Sequence, residues 1–230
     1  MHLLFIPGLL TTKEVWSKLN FFRHDFSVYD ADVSSFDSII DMANMVECAI
    51  DHHCNYCVIG ISMGGYVALE LATRQNSWIK KLVLINTSAK AVNPDSLHSR
   101  KQAITLAKTN GIKSVLNLHP GICFYAYTPK MKKVEARMAE EIGVEAYLRQ
   151  QKAIINRQAH TPKLGNIVAE TLIITALADK VLAFKDSLEL HQGIDRSTLF
   201  SLRHCGHLPT LERPDDTFLQ VASFLTGTEQ

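Results

Sequence analysis

The chain has 230 residues, 47% hydrophobic and 20% charged. That is enough apolar material for an ordinary core, and it excludes a disordered chain, a collagen-like chain and a small disulfide-stapled scaffold. The 24 Lys and Arg nearly balance the 23 Asp and Glu at a net charge of +1, so charge does not direct the chain to nucleic acid or to an anionic membrane.

The first apolar run, His2–Ile6, is ended by Pro7-Gly8 and has no basic leader. It predicts a buried strand rather than a signal peptide. No apolar stretch reaches the roughly 18 residues of a membrane-spanning helix. A second strand is expected at 26–29. Residues 36–52 carry Phe36, Ile39, Ile40, Ala43, Val46 and Ile50 at helical spacing, which predicts a helix. A strand at 56–59, a helix at 64–74 and a strand at 81–86 follow. Between Ser88 and His160 the pattern changes. Helices are expected at 94–107, 113–118, 130–142 and 144–157, with no strand among them. The stretch is far too long for a loop in a compact domain. Strand 171–176, a helix near 184–190, strand 198–202 and helix 214–225 close the chain. Buried, non-alternating strands separated by helices predict the α/β class: a doubly wound, mostly parallel sheet of about six strands. Residues 1–87 and 161–230 are expected to form the core, and 88–160 a helical cap folded over one end of the sheet.

The five cysteines (Cys48, Cys54, Cys57, Cys123, Cys205) are an odd number. Without an export signal, reduced thiols in the cytoplasm are expected. Cys54-x-x-Cys57 beside His52 and His53 could be read as a metal or redox site. A closed zinc site needs four ligands, and no second pair stands at a suitable spacing. The segment reads as a helix end followed by core thiols, and no metal site is expected.

The chemistry is concentrated in Gly60-Ile61-Ser62-Met63-Gly64-Gly65, between a predicted strand and a predicted helix. A very tight strand-to-helix turn lifts the serine above the sheet edge, and the flanking glycines remove Cβ atoms where strand and helix converge. No Lys follows, so the turn is not a phosphate-binding loop. A serine nucleophile needs a base, and the base an orienting carboxylate. Asp179 follows strand 171–176, and Asp186 and Asp95 are weaker substitutes. A turn or helix-cap role is the alternative for Asp179. His207 follows strand 198–202 in the loop Arg203-His204-Cys205-Gly206-His207, where His204 competes as the base. An oxyanion hole needs two converging backbone donors. Met63 supplies one, and Leu9 after Pro7-Gly8 the other, with Leu10 second.

Together, Pro7-Gly8-Leu9, the Ser62 turn, Asp179, and Gly206-His207-Leu208 with Glu212-Arg213-Pro214 make this chain resemble the α/β-hydrolase superfamily over essentially its whole length. The first loop commonly reads His-Gly in that superfamily and reads Pro7-Gly8 here. The two antiparallel strands that commonly open the fold have no counterpart, which leaves about six strands. Small, cofactor-free carboxylesterases are the most similar members. The resemblance implies catalysis by Ser62, Asp179 and His207, without metal or cofactor, on a small or medium acyl ester or thioester. A carbon–carbon bond hydrolase or lyase acting on a ring-bearing acid, and a non-catalytic ligand-binding protein, remain alternatives. Leu10, Phe124, Tyr125, Tyr127 and Tyr147 are the candidates for an apolar substrate pocket, with packing as the other reading for the aromatics. Arg149 and Arg157 read as solvated or structural, with contact to an acidic substrate as the alternative. A monomer or homodimer is expected, with no nucleic-acid or membrane partner.

Overall fold

Six parallel strands hydrogen-bond in the order β2-β1-β3-β4-β5-β6 in the computed structural model, which describes residues 1–19 and 22–227. They are β1 (His2–Ile6), β2 (Val28–Asp30), β3 (Tyr56–Ile61), β4 (Ile79–Ile85), β5 (Glu170–Ala176) and β6 (Ser197–Leu202). The strand order reverses between β1 and β3. A reversal of this kind opens a crevice at the carboxyl ends of the strands, where ligands of open α/β sheets bind.

Both faces of the sheet are covered, which explains why the strands read as unbroken apolar runs. On one face Leu4, Ile6, Val58, Leu82, Leu84 and Ile173 pack against helices α2 (Ile39–Ala49), α3 (Met63–Thr73) and α7 (Phe184–Gly193). On the other face Leu3, Phe5, Ile59, Ile61, Val83 and Ile174 meet Trp16 of the 3-10 helix Lys13–Leu19 and Val221 of helix α9 (Pro214–Thr226). Two one-turn helices, α1 (Phe22–Asp25) and α8 (Pro209–Glu212), are the remaining α-helices outside the segment between β4 and β5.

Helices α4 (Pro94–Asn110), α5 (Ile112–Leu116) and α6 (Pro129–Asn156) form an insertion between β4 and β5, with no strand among its described residues. Asn93 and Thr128 cap α4 and α6 by accepting from the Asp95 and Met131 amides, each with a proline in the first turn. Ala107, Ile112, Ala139 and Tyr147 form a small core of the insertion's own. The helices expected at 130–142 and 144–157 run as one element interrupted at Gly143, where φ is 70° and ψ 178°.

Several boundaries moved, two of them for visible reasons. The edge strand expected at 26–29 lies at Val28–Asp30, because Leu3 pairs in register with Val28 and Phe5 with Asp30. The helix expected at 36–52 is Ile39–Ala49. Ser38 caps its start, so Phe36 packs on the core as a loop residue.

Candidate active site

Strand β3 runs straight into α3, and Ser62 sits between them at φ 53° and ψ −116°. This backbone is rare for a residue with a side chain and is held by its surroundings. The Ser62 amide donates to the Ile85 carbonyl (3.0 Å), and the Ser62 carbonyl accepts from the Gly65 amide (3.0 Å) and Thr87 Oγ1 (2.8 Å). The turn closes only because Gly64 has no Cβ, which would run into the Ile6 carbonyl oxygen. Ser62 is left partly exposed on the wall of a cavity of about 690 Å³.

His207 lies on the same cavity wall. Its Nδ1 is 2.6 Å from Asp179 Oδ2, and the two side chains are 5% and 3% exposed. A carboxylate only accepts, so Nδ1–H is the donor and Nε2 is the ring nitrogen left for other partners. The second Asp179 oxygen accepts from the Val181 (2.7 Å) and Leu182 (3.2 Å) amides, so the carboxylate is anchored on the loop that follows β5. The His207 amide donates to the Cys123 carbonyl (2.8 Å) in the insertion.

The competing candidates are exposed or already paired. His204 is exposed, at φ 52°, with its ring 5.5 Å from Tyr125. Asp186 is paired with Lys90, and Asp95 sits exposed in the first turn of α4. Leu9 lines the cavity, and Met63 opens α3 with its side chain buried. The Leu10 amide is already engaged, donating to Gln150 Oε1 of α6 (3.1 Å).

None of the five candidates for an apolar pocket lines this cavity. Leu10 packs against the small core of the insertion. Phe124 is buried in the core below the sheet and stacks on Tyr127, whose hydroxyl donates to Glu135 (2.6 Å). Tyr125 is half exposed beside His204. Tyr147 is buried between α4, α5 and α6, and its hydroxyl accepts from Gln151 (2.9 Å). Phe124, Tyr127 and Tyr147 are packed against other side chains, and Tyr125 is left half exposed. Cys54 and Cys57 fall on opposite faces of the sheet, and no metal-holding cluster of His, Cys, Asp or Glu exists among the described residues. Burial pushes the Cys123 and Cys205 thiols up to about 12.

Sequence reading missed three contributors. Asn86, buried at the end of β4 with φ 41°, donates to the Gly206 (3.2 Å) and His207 (2.9 Å) carbonyls and accepts from the Ala176 amide (2.8 Å). It ties β4, β5 and the His207 loop together. The only advance signal was an Asn at a strand end, where positive φ is tolerated. The Glu212 carboxylate, quoted above only as part of a motif, accepts from the Gly206 (2.7 Å), Tyr125 (2.9 Å) and Ala126 (3.0 Å) amides. Arg100 of α4 lines the cavity, as does Arg157, whereas Arg149 donates to the Ser34 carbonyl and does not line it.

The model of the alpha/beta hydrolase family matches residues 3–221. The chain belongs to this family and is a hydrolase. It is 27% identical to a pimeloyl-[acyl-carrier protein] methyl ester esterase of Nitrosospira multiformis, covering 79% of this chain and 73% of that protein. It is 25% identical to 3-oxoadipate enol-lactonase 1 of Acinetobacter baylyi, over 81% and 68%. Among solved structures, a thermophilic esterase from Thermogutta terrifontis superposes with a TM-score of 0.88 at 18% identity, covering 100% of this chain and 91% of that one, a likeness of fold.

Proposed function

We propose that this hydrolase is a serine esterase acting through an acyl-enzyme on Ser62. The observation that carries the reading is the His207–Asp179 pair, whose His207 lines the same cavity as a serine on a strained strand-to-helix turn. In this reading His207 Nε2 takes the Ser62 hydroxyl proton while Oγ attacks the ester carbonyl carbon. Asp179 holds the ring and stabilises the imidazolium that results. The Met63 and Leu9 amides donate to the tetrahedral oxyanion. Collapse expels the alcohol, which leaves with the proton carried by His207. Water then gives its proton to His207 and attacks the acyl carbon; as the second intermediate collapses, His207 returns that proton to Ser62 Oγ, and the acid and the free serine are released. Ester cleavage accords with two relatives named as a methyl ester esterase and an enol-lactonase. Residues 88–160 serve as the cap over the site, and the substrate is a small or medium acyl ester or thioester.

The test is Ser62→Ala, assayed on p-nitrophenyl butyrate and with a fluorophosphonate probe. Loss of both turnover and labelling is expected. A variant that keeps most of the turnover overturns the assignment, as does a wild-type protein that the probe does not label.

A further inference from the structure

The cavity that holds Ser62 and His207 is lined by Lys90, Arg100, Arg157 and Lys185, with Asp186 as the one carboxylate on that wall besides the catalytic loops. Asp186 is already taken: Lys90 Nζ lies 2.8 Å from it and 2.8 Å from Glu189. Neither arginine has an acidic partner among the described residues.

Arg157 has a structural role. Its guanidinium lies over the Tyr66 ring, 4.3 Å from the centroid, and donates to the Lys90 (2.9 Å), Ile154 (2.9 Å) and Ala91 (3.2 Å) carbonyls. These contacts orient the cation without neutralising it. Arg100 is less well accounted for. Its Nη1 donates to Gln151 Oε1 (2.9 Å), and Gln151 is braced in turn by the Tyr147 hydroxyl (2.9 Å). Its Nε is buried and has no hydrogen-bond partner among the described residues. Burial pulls both guanidinium groups below their ordinary range; at Arg157 the nearby Tyr66 and Asp186 act against burial while the charge of Arg100 adds to it, so the two cations repel. An unmade buried donor and two like charges are both unfavourable, and one bound anion relieves both.

The free edge of Arg100 indicates which anion. Nε and Nη2 form the side-on fork of the guanidinium, which fits the two oxygens of a carboxylate. Arg74, Arg137 and Arg213 hold Glu70, Glu14 and Asp216 through this same edge. In Arg100 the corner spent on Gln151 is the other one, so a carboxylate on this edge breaks no hydrogen bond of Arg100. We propose that Arg100, with Arg157 beside it, binds a carboxylate of the substrate, so that the enzyme selects esters bearing a free carboxylate away from the scissile bond. This rests on the serine-esterase reading above.

The experiment compares mono-p-nitrophenyl glutarate with p-nitrophenyl hexanoate, an ester of similar length without the charge. The wild type is expected to show kcat/KM about tenfold or more higher for the half-ester, the scale of a charge-assisted bond. Arg100→Gln brings that ratio down toward one, Arg100→Lys keeps part of it, and thermal melts check that both variants are folded. Equal kcat/KM for the two esters in the wild type, or a proportional loss of both in Arg100→Gln, overturns the subsite. Calorimetric titration of glutarate into Ser62→Ala separates the two proposals. Binding there that is lost on adding Arg100→Gln supports the subsite even if neither ester is turned over, in which case the esterase reading fails alone. No glutarate binding, with hexanoate still hydrolysed, overturns the subsite alone.

Discussion

A methyl group at position 64 would collide with the Ile6 carbonyl oxygen, on backbone that β1 and its neighbours hold in place. Gly64→Ala is therefore expected to cost about 1–3 kcal/mol, the usual penalty of overpacking, and to lower esterase turnover. Urea unfolding checks the first and p-nitrophenyl butyrate the second. Asn86 acts differently. Its amide is the one side chain that bonds both the Gly206 and His207 carbonyls and the Ala176 amide. Asn86→Ala leaves these buried groups without that partner, at about 1–3 kcal/mol for each that finds no other. The expected outcome is a lower urea midpoint together with reduced turnover, since the His207 loop loses its tie to β4. The glycines around Ser62 were legible in the sequence because a steric need leaves a residue type behind. Asn86 was not, because its partners lie 90 and about 120 positions away.

Among elements, the insertion is folded by glycines rather than by collisions. Gly111, between α4 and α5, has φ 78° and ψ 174°, and Gly143, within α6, has φ 70° and ψ 178°. Nothing lies within 4 Å of a Cβ built at either position. Any loss of stability in Gly143→Ala thus comes from backbone strain, about 1–3 kcal/mol for a conformation that is essentially glycine's alone. A thermal melt of the variant against wild type measures it, and an unchanged melting temperature would refute the argument. Helix periodicity separated 130–142 from 144–157 because that break is local. It placed helix ends less well: α2 stops at Ala49 although apolar spacing continues to Ile50. Phe124, Tyr125, Tyr127 and Tyr147 were visible as a set, but which of them would meet open space depended on how the insertion settled on the core.

Across the whole molecule, the insertion returns to the core beside a partly buried carboxylate, Glu70. Glu70 of α3 lies 2.8 Å from His160 Nε2 and 2.9 Å from Arg74 Nη2. The His160 hydrogen bond, opposed by burial and assisted by Arg74, holds the Glu70 carboxyl down to about 2 against an ordinary 4.5. A lowered carboxyl stabilises the fold above its unfolded value and loses that contribution as pH falls through the folded one. Stability is therefore expected to drop between pH 4.5 and about 2, by on the order of 3 kcal/mol at most. Glu70→Gln should flatten this part of the acid curve while lowering stability at pH 7. Chemical denaturation at a series of pH values follows both effects.

Class, strand count, the helical insertion and the positions of Ser62, Asp179 and His207 could all be read from the chain, because each leaves a local mark: an apolar run, a glycine where no Cβ fits, a polar residue just past a strand. What lines the cavity could not be read. Arg100 lies on α4 and Arg157, which the sequence offered as a substrate contact only in the alternative, lies 57 positions on, just past the end of α6; they face one space only once α4 and α6 pack on the core. Of the aromatics that looked fit for that space, Phe124, Tyr127 and Tyr147 were instead drawn into packed clusters, where burying their area stabilises more than lining a wall. Composition carries no record of such long-range competition, so the polar, cationic wall of this site emerged only from the folded arrangement.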